Sequence, residues 1–190
     1  NIAAAHGAAL LVVSESKLPA LGAVNAPMLV VPDVLEAMEK LGRAARERSA
    51  ARIIAVTGSV GKTSTRNMIA TVLSEKYRVL QTEKNFNNEI GLPKTLLQLT
   101  PDHEACVVEM GMRGLGQIEE LALIAEPTVG VITNVGTSHI ELLGSQEKIA
   151  QAKSELVQHI GVDGTVVLNE DDDFVRAMGT LTEGKKIFYG

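Results

Sequence analysis

The chain has 190 residues, 18 basic against 23 acidic for a formal charge of −5, with 45% hydrophobic and 3% aromatic side chains. That length holds one full domain, or one domain plus a piece of another, around an aliphatic, alanine-rich core. The acidic balance argues against nucleic acid as a partner, and the lack of a long apolar run argues against membrane insertion. No signal peptide is expected. The single cysteine, Cys106, rules out an intramolecular disulfide and fits a reducing cytoplasm. Between Ala105 and Val107 it reads as a buried strand residue and not a nucleophile. A start on Asn1 and an end on Tyr189-Gly190, straight after a strand-like stretch, lead us to expect a fragment of something longer.

Residues 8–14 and 28–31 are apolar runs that predict short strands around a loop with Pro19, Gly22, Asn25 and Pro27. From Asp33 a helix is expected, with Val34, Leu35, Met38, Leu41 and Ala45 on its apolar face. The polar run Arg43 to Arg52 reads as a solvated helix face in preference to a phosphate-binding patch. A domain boundary is placed near residue 50, dividing the chain into 1–50 and 51–190.

Ile53-Ile54-Ala55-Val56 predicts a buried strand, which breaks at Thr57-Gly58-Ser59-Val60-Gly61 and enters Lys62-Thr63-Ser64-Thr65. Met68, Ile69, Val72 and Leu73 then recur at helical spacing as one stripe. Strand, glycine turn, Lys-Thr and helix form the arrangement that cradles phosphate. Backbone N–H groups of the turn and helix start point at the anion, Lys62 adds positive charge, and a Thr hydroxyl can ligate Mg²⁺. The strict Walker A spacing wants a glycine where this chain has Val56; Gly58-x-x-Gly61-Lys62-Thr63-Ser64 remains. We read a nucleoside triphosphate site in Gly58, Ser59, Val60, Gly61, Lys62, Thr63 and Ser64.

Residues 77–80 predict the next strand, and Asn85, Asn87 and Asn88 follow in a polar stretch before a helix at Lys94 to Leu99 with Pro93 near its start. Asparagines so close together mark a turn, or, past a strand's C-terminal end, the lining of a substrate cleft. Strand 104–109 ends on Glu109, where a Mg²⁺-binding acid belongs in such folds, the alternative being an ordinary surface glutamate. Helix 116–125, strand 128–133 and Asn134 to His139 follow. His139 sits just past a strand end on the candidates' side, whereas His6, His103 and His159 read as structural or solvated. Helix 145–160 carries Lys153 among apolar residues, strand 164–168 leads to a solvated acidic turn at 169–173, and 184–190 begins one more strand.

This alternation predicts an α/β fold, a mainly parallel sheet with helices on both faces and a phosphate loop. Lys62, Thr63, Asn85, Asn88, Glu109, Asn134 and His139 all follow strand C-termini, as a crevice site in an open sheet requires.

The order of these motifs resembles the Mur ligases of peptidoglycan synthesis. The resemblance rests on Thr57 to Ser64, Asn85-Phe86-Asn87-Asn88-Glu89-Ile90-Gly91-Leu92-Pro93, Glu109-Met110-Gly111-Met112, Thr133-Asn134-Val135-Gly136-Thr137-Ser138-His139 and Ala152-Lys153-Ser154-Glu155-Leu156. The Asn85–Pro93 and His139–Ser145 runs are most similar to the branch that adds D-alanyl-D-alanine to UDP-N-acetylmuramoyl-tripeptide. The resemblance implies ATP-dependent amide formation through an acyl phosphate, with ATP and Mg²⁺, in a bacterial cytoplasm. Lys62 would contact the β/γ-phosphates, Asn134 would belong to the nucleotide site, and Thr63 and Glu109 would hold one Mg²⁺. His139 and a carbamylated Lys153 would hold a second, and Asn85 and Asn88 would line the muramoyl-peptide side. Residues 1–50 would end a UDP-substrate-binding N-terminal domain, and 51–190 would begin the central ATP-binding domain. The adenine-contacting segment and the C-terminal domain would lie outside the chain, so it is not expected to complete ligation alone. Family members often have Gly-Glu-Ile where this chain has Gly116-Gln117-Ile118.

Three other readings compete. Sister ligases, whether another Mur ligase, a folylpolyglutamate synthase or a cyanophycin-synthetase-type domain, share the loop and the acid without the Asn85–Pro93 run. A P-loop kinase or GTPase is a different class, and guanine specificity would want Asn-Lys-x-Asp, which is absent. A nucleotide-binding module without ligase activity is the third.

Overall fold

The structure is a computed structural model that describes residues 2–138 and 140–190. After a single turn, α1 (Ile2–Ala5), the strands β1 (Leu11–Ser14) and β2 (Met28–Val31) pair in parallel around a 3-10 turn at Glu15–Ala20. Helix α2 (Val34–Glu47) starts because the Asp33 carboxylate accepts from the N–H groups of Leu35 and Glu36, two donors the helix itself cannot satisfy. It packs on α4 (Gly91–Leu96) and α5 (Gln117–Ala125). Close approach there requires Gly42, since a Cβ would come 2.8 Å from Pro93 Cα. This contact turns the helix so that Leu35 and Leu41, expected inward, are exposed.

Six strands follow, β3 (Arg52–Thr57), β4 (Val79–Gln81), β5 (Ala105–Glu109), β6 (Val129–Ile132), β7 (Thr165–Asn169) and β8 (Lys185–Tyr189), in the order β4-β5-β3-β6-β7-β8. Every pairing is parallel, as the alternation of strands and helices predicts. The central strands are apolar throughout because both faces are covered. Ile53, Ala55, Cys106 and Val108 join the larger cluster under α4, α5 and α7 (Gln146–His159), while Ile54, Val56, Val107 and Val131 join a smaller one under α3 (Lys62–Ser74). Two short helices, α6 (Ile140–Leu143) and α8 (Asp173–Ala177), with a 3-10 turn at Met178–Leu181, complete the chain.

The helical period of α3 is as expected, but its phase differs. Arg66, Ile69, Ala70 and Leu73 face the sheet, and Met68 and Val72 stand 61% and 71% exposed. Helix α4 begins three residues earlier than expected because Asn88 Oδ1 accepts from Gly91 N. The acidic turn at 169–173 is not merely solvated: Asp172 caps α8 through Val175 N and accepts from Val135 N at 2.7 Å. Among the described residues, no helix is long and apolar enough to cross a membrane.

The chain leaves β3 for β4, returns to β5 beside β3, then crosses to β6 on the other side. That reversal opens a crevice at the C-terminal ends of β3, β5 and β6.

Candidate functional site

The turn after β3 is held from β6. Val60 N donates to Asn134 Oδ1 at 2.9 Å, and Val60 O accepts from Asn134 Nδ2 at 3.0 Å and Thr133 Oγ1 at 2.7 Å. Ser59 N donates to Asn134 O, and Gly136 N to Ser59 Oγ. Gly58 must lack a side chain, because a Cβ would lie 1.8 Å from Thr133 Oγ1. Gly61 takes the left-handed turn (φ 83) that admits the chain to α3. Lys62 curls over this loop, its Nζ donating to Gly58 O at 2.8 Å. Burial lowers its pKa, and the Glu109 charge works against that shift. With the Ser59 and Val60 amides taken by Asn134, Lys62 and the first-turn amides of α3, which have no partner within the helix, are the groups left to meet an anion.

Glu109 is no surface residue. Only 3% exposed at the end of β5, it accepts from Thr63 Oγ1 at 2.8 Å and, at 3.5 Å, from Arg66 Nη1 on Oε2, and from Asn87 Nδ2 at 2.8 Å on Oε1. Its backbone N–H donates to Thr82 Oγ1. Adjacent ligands of an octahedral Mg²⁺ with bonds near 2.1 Å lie about 3 Å apart. The Thr63–Glu109 oxygen pair therefore fits two neighbouring positions on such an ion. Among the described residues no three His, Cys, Asp or Glu side chains form a metal-holding group. One carboxylate and one hydroxyl suit an ion that completes its shell with water and phosphate.

Lys153, on α7, is 3% exposed and meets the same open cavity of about 360 Å³ as Ser59, Lys62, Asn85, Asn87 and Asn88. Burial, with Lys62 as a nearby like charge, brings its pKa down to about 7. Two residues on, Glu155 accepts from Gly116 N at 2.7 Å and Glu119 N at 3.1 Å, capping α5 and locking α7 against it. Gln117 accepts from Arg113 N and Gly114 N, shaping the turn before α5.

Residues 56–190 match the family model for the Mur ligase middle domain. The chain belongs to the Mur ligase family. Among its Mur ligase relatives, the UDP-N-acetylmuramoyl-tripeptide–D-alanyl-D-alanine ligase of Synechocystis is 49% identical over 183 residues, covering 96% of this chain and 40% of that protein. In structure it is similar to MurF from Acinetobacter baumannii (TM-score 0.82, 35% identity, 88% of this chain and 38% of that one). It is likewise similar to the Thermotoga maritima MurF ligase solved with ADP (TM-score 0.80, 32% identity, 88% and 39%). The chain spans about two fifths of the length of these Mur ligases.

The crevice brings together Gly58, Ser59, Lys62, Asn85, Asn88 and Lys153 around one cavity, with Thr63 and Glu109 behind Asn87. Ser64 is exposed on the first turn of α3. Asn134 lies under the loop, with both ends of its carboxamide on Val60. His139 lies outside the described residues. Arg66 was not anticipated, and Asn87 reads from sequence only as a turn or cleft-lining residue; the two grip Glu109 from opposite sides. The signal for Arg66 was spacing: it follows Lys62 by four and Thr63 by three, so all three share one helix face.

Proposed function

We propose that the chain supplies the phosphate-binding part of an ATP-dependent ligase that adds D-alanyl-D-alanine to UDP-N-acetylmuramoyl-tripeptide, in peptidoglycan precursor synthesis in a bacterial cytoplasm. The observation that carries this reading is the pairing of Thr63 Oγ1 with Glu109 Oε2, 2.8 Å apart, beside Lys62 and the N-terminus of α3, which together can meet an anion. The similarity to a relative solved with ADP supports an adenine nucleotide there. Residues 1–50 are the end of a UDP-substrate-binding domain in this reading, and 51–190 the first part of the central domain.

The reaction asks for charge neutralisation around phosphoryl oxygens and little covalent help from the protein. A Mg²⁺ ion held by Thr63 and Glu109 would supply part of that neutralisation. Lys62, half-buried over the loop carbonyls, turns from Gly58 O to the phosphates as they enter. The substrate carboxylate then attacks the γ-phosphoryl, ADP leaves, and the acyl phosphate yields to the dipeptide amine with loss of phosphate. Asn85 and Asn88 face the peptide side of the same cavity. Lys153, with a pKa of about 7, carries a neutral amine in about half of the molecules at pH 7. That amine can add to CO₂ with loss of one proton, giving a carbamate anion that, with His139, would hold a second Mg²⁺.

The test is calorimetric titration with Mg²⁺-ATP and Mg²⁺-GTP beside a Lys62→Ala variant. ATP binding abolished by the substitution, with no GTP binding, is the expected result. Equal binding of ATP by the folded variant would overturn the assignment of the loop.

A further inference from the structure

Arg66 has no part in the reading above, yet it is 5% exposed and each nitrogen of its guanidinium donates a hydrogen bond. Nε and Nη2 both donate to Asn67 Oδ1, at 3.2 and 2.8 Å, which fixes the plane of the group. Nη1 then donates in two directions at once, to Lys84 O at 3.0 Å and to Glu109 Oε2 at 3.5 Å. Lys84 is one of two described non-glycine residues with positive φ, at 50. A side chain resists that backbone conformation unless its surroundings impose it. The bond from Arg66 to its carbonyl is such an imposition.

The consequence runs along the loop. From Lys84 the chain passes through Asn85 to Asn87, whose backbone O accepts from Gly111 N at 2.8 Å and whose Nδ2 donates to Glu109 Oε1. The loop that lines the peptide side of the cavity is thus fastened at Lys84 and at Asn87, and both fastenings share Glu109. A lysine could reach one of these partners but not present a planar fork to three.

We propose that Arg66 is a positioning residue that ties the Lys84–Asn88 loop to Glu109, so that the metal-nucleotide side and the peptide side of the crevice are held as one unit. This rests on the reading that Thr63 and Glu109 serve Mg²⁺-ATP, and it adds a mechanical link between the two halves of the site. The link requires the charge of Arg66, its fork geometry and its orientation by Asn67.

Three variants test it in the full chain: Arg66→Met, Arg66→Lys and the milder Asn67→Ala, which keeps the cation and loosens only its orientation. The first readout, hydrogen exchange of the backbone amides of 84–88, needs no nucleotide. Loss of one such tether corresponds to exchange about tenfold faster there, with β3 and β6 amides unchanged. The second is the Mg²⁺ concentration that half-saturates ATP binding. It is expected to rise severalfold in Arg66→Lys and Asn67→Ala, while affinity for ATP without Mg²⁺ stays at the wild-type value. Folded Arg66→Lys and Asn67→Ala proteins with wild-type exchange at 84–88 would overturn the proposal, as would a faster-exchanging loop with an unshifted Mg²⁺ requirement. Faster exchange in a chain whose wild type binds no Mg²⁺-ATP would uphold the tether and refute the nucleotide reading instead.

Discussion

Replacing Lys153 with methionine keeps most of the side chain's volume and removes its amine. Lys153 is 3% exposed, and its pKa falls from an ordinary 10.5 to about 7, chiefly through burial and secondly through Lys62. The sign follows from proton counting. Above pH 7 the folded chain gives up a proton that the unfolded chain keeps until about 10.5, so the unfolded state binds more protons and stability rises with pH across that window. Below pH 7 the folded chain carries the whole cost of a buried ammonium. Integrating the linkage relation from pH 6 to pH 9 gives about 2.7 kcal/mol, an order-of-magnitude figure. Urea unfolding in CO₂-free buffer at those two pH values measures it. The wild type should gain roughly 2–3 kcal/mol on Lys153→Met between them, and the variant should be the more stable protein at pH 6. A difference between the two proteins that does not change with pH would refute the reasoning, because it would mean that Lys153 keeps its charge in the fold.

Gly58→Ala forces a Cβ to within 1.8 Å of Thr133 Oγ1; loss of ATP binding with a lowered melting temperature is expected by calorimetry and thermal melts. Asn134→Ala strips two bonds from Val60 and should weaken ATP affinity about tenfold while leaving far-ultraviolet circular dichroism unchanged. Cys106 is fully buried with its pKa pushed up to about 12, so a thiol reagent should label it at pH 8 only at the rate of unfolding.

The phosphate loop was legible because two periodicities meet there. A β-branched run stops at Thr57, a helical pattern starts at Lys62, and glycines stand between them. Strand ends also carried information, since a parallel sheet delivers Glu109 and the 85–88 loop to one edge. What escaped was set by tertiary contact. Apolarity places Met68 and Val72 inward, whereas α3 turns a charged residue, Arg66, toward the sheet to meet Glu109. Spacing alone leaves Asn87 as one of three turn or cleft-lining asparagines, and only the fold sets its amide against the carboxylate. Leu35 and Leu41 lost the inward face of α2 to the contact between Gly42 and Pro93, which no count of hydrophobic residues reveals.

The grip of Thr133 and Asn134 on Val60 spans 73 and 74 residues of chain. A ribosome releases β3 and α3 well before it releases β6, so the glycine turn emerges without the partners that shape it. Ordering it requires closure of a long loop, and the entropy of that closure is recovered only when β6 docks beside β3. Nucleotide capacity should therefore arrive late and all at once in the growing chain. A nascent polypeptide stopped before Thr133 would carry Gly58 to Ser64 without the contacts that shape their turn.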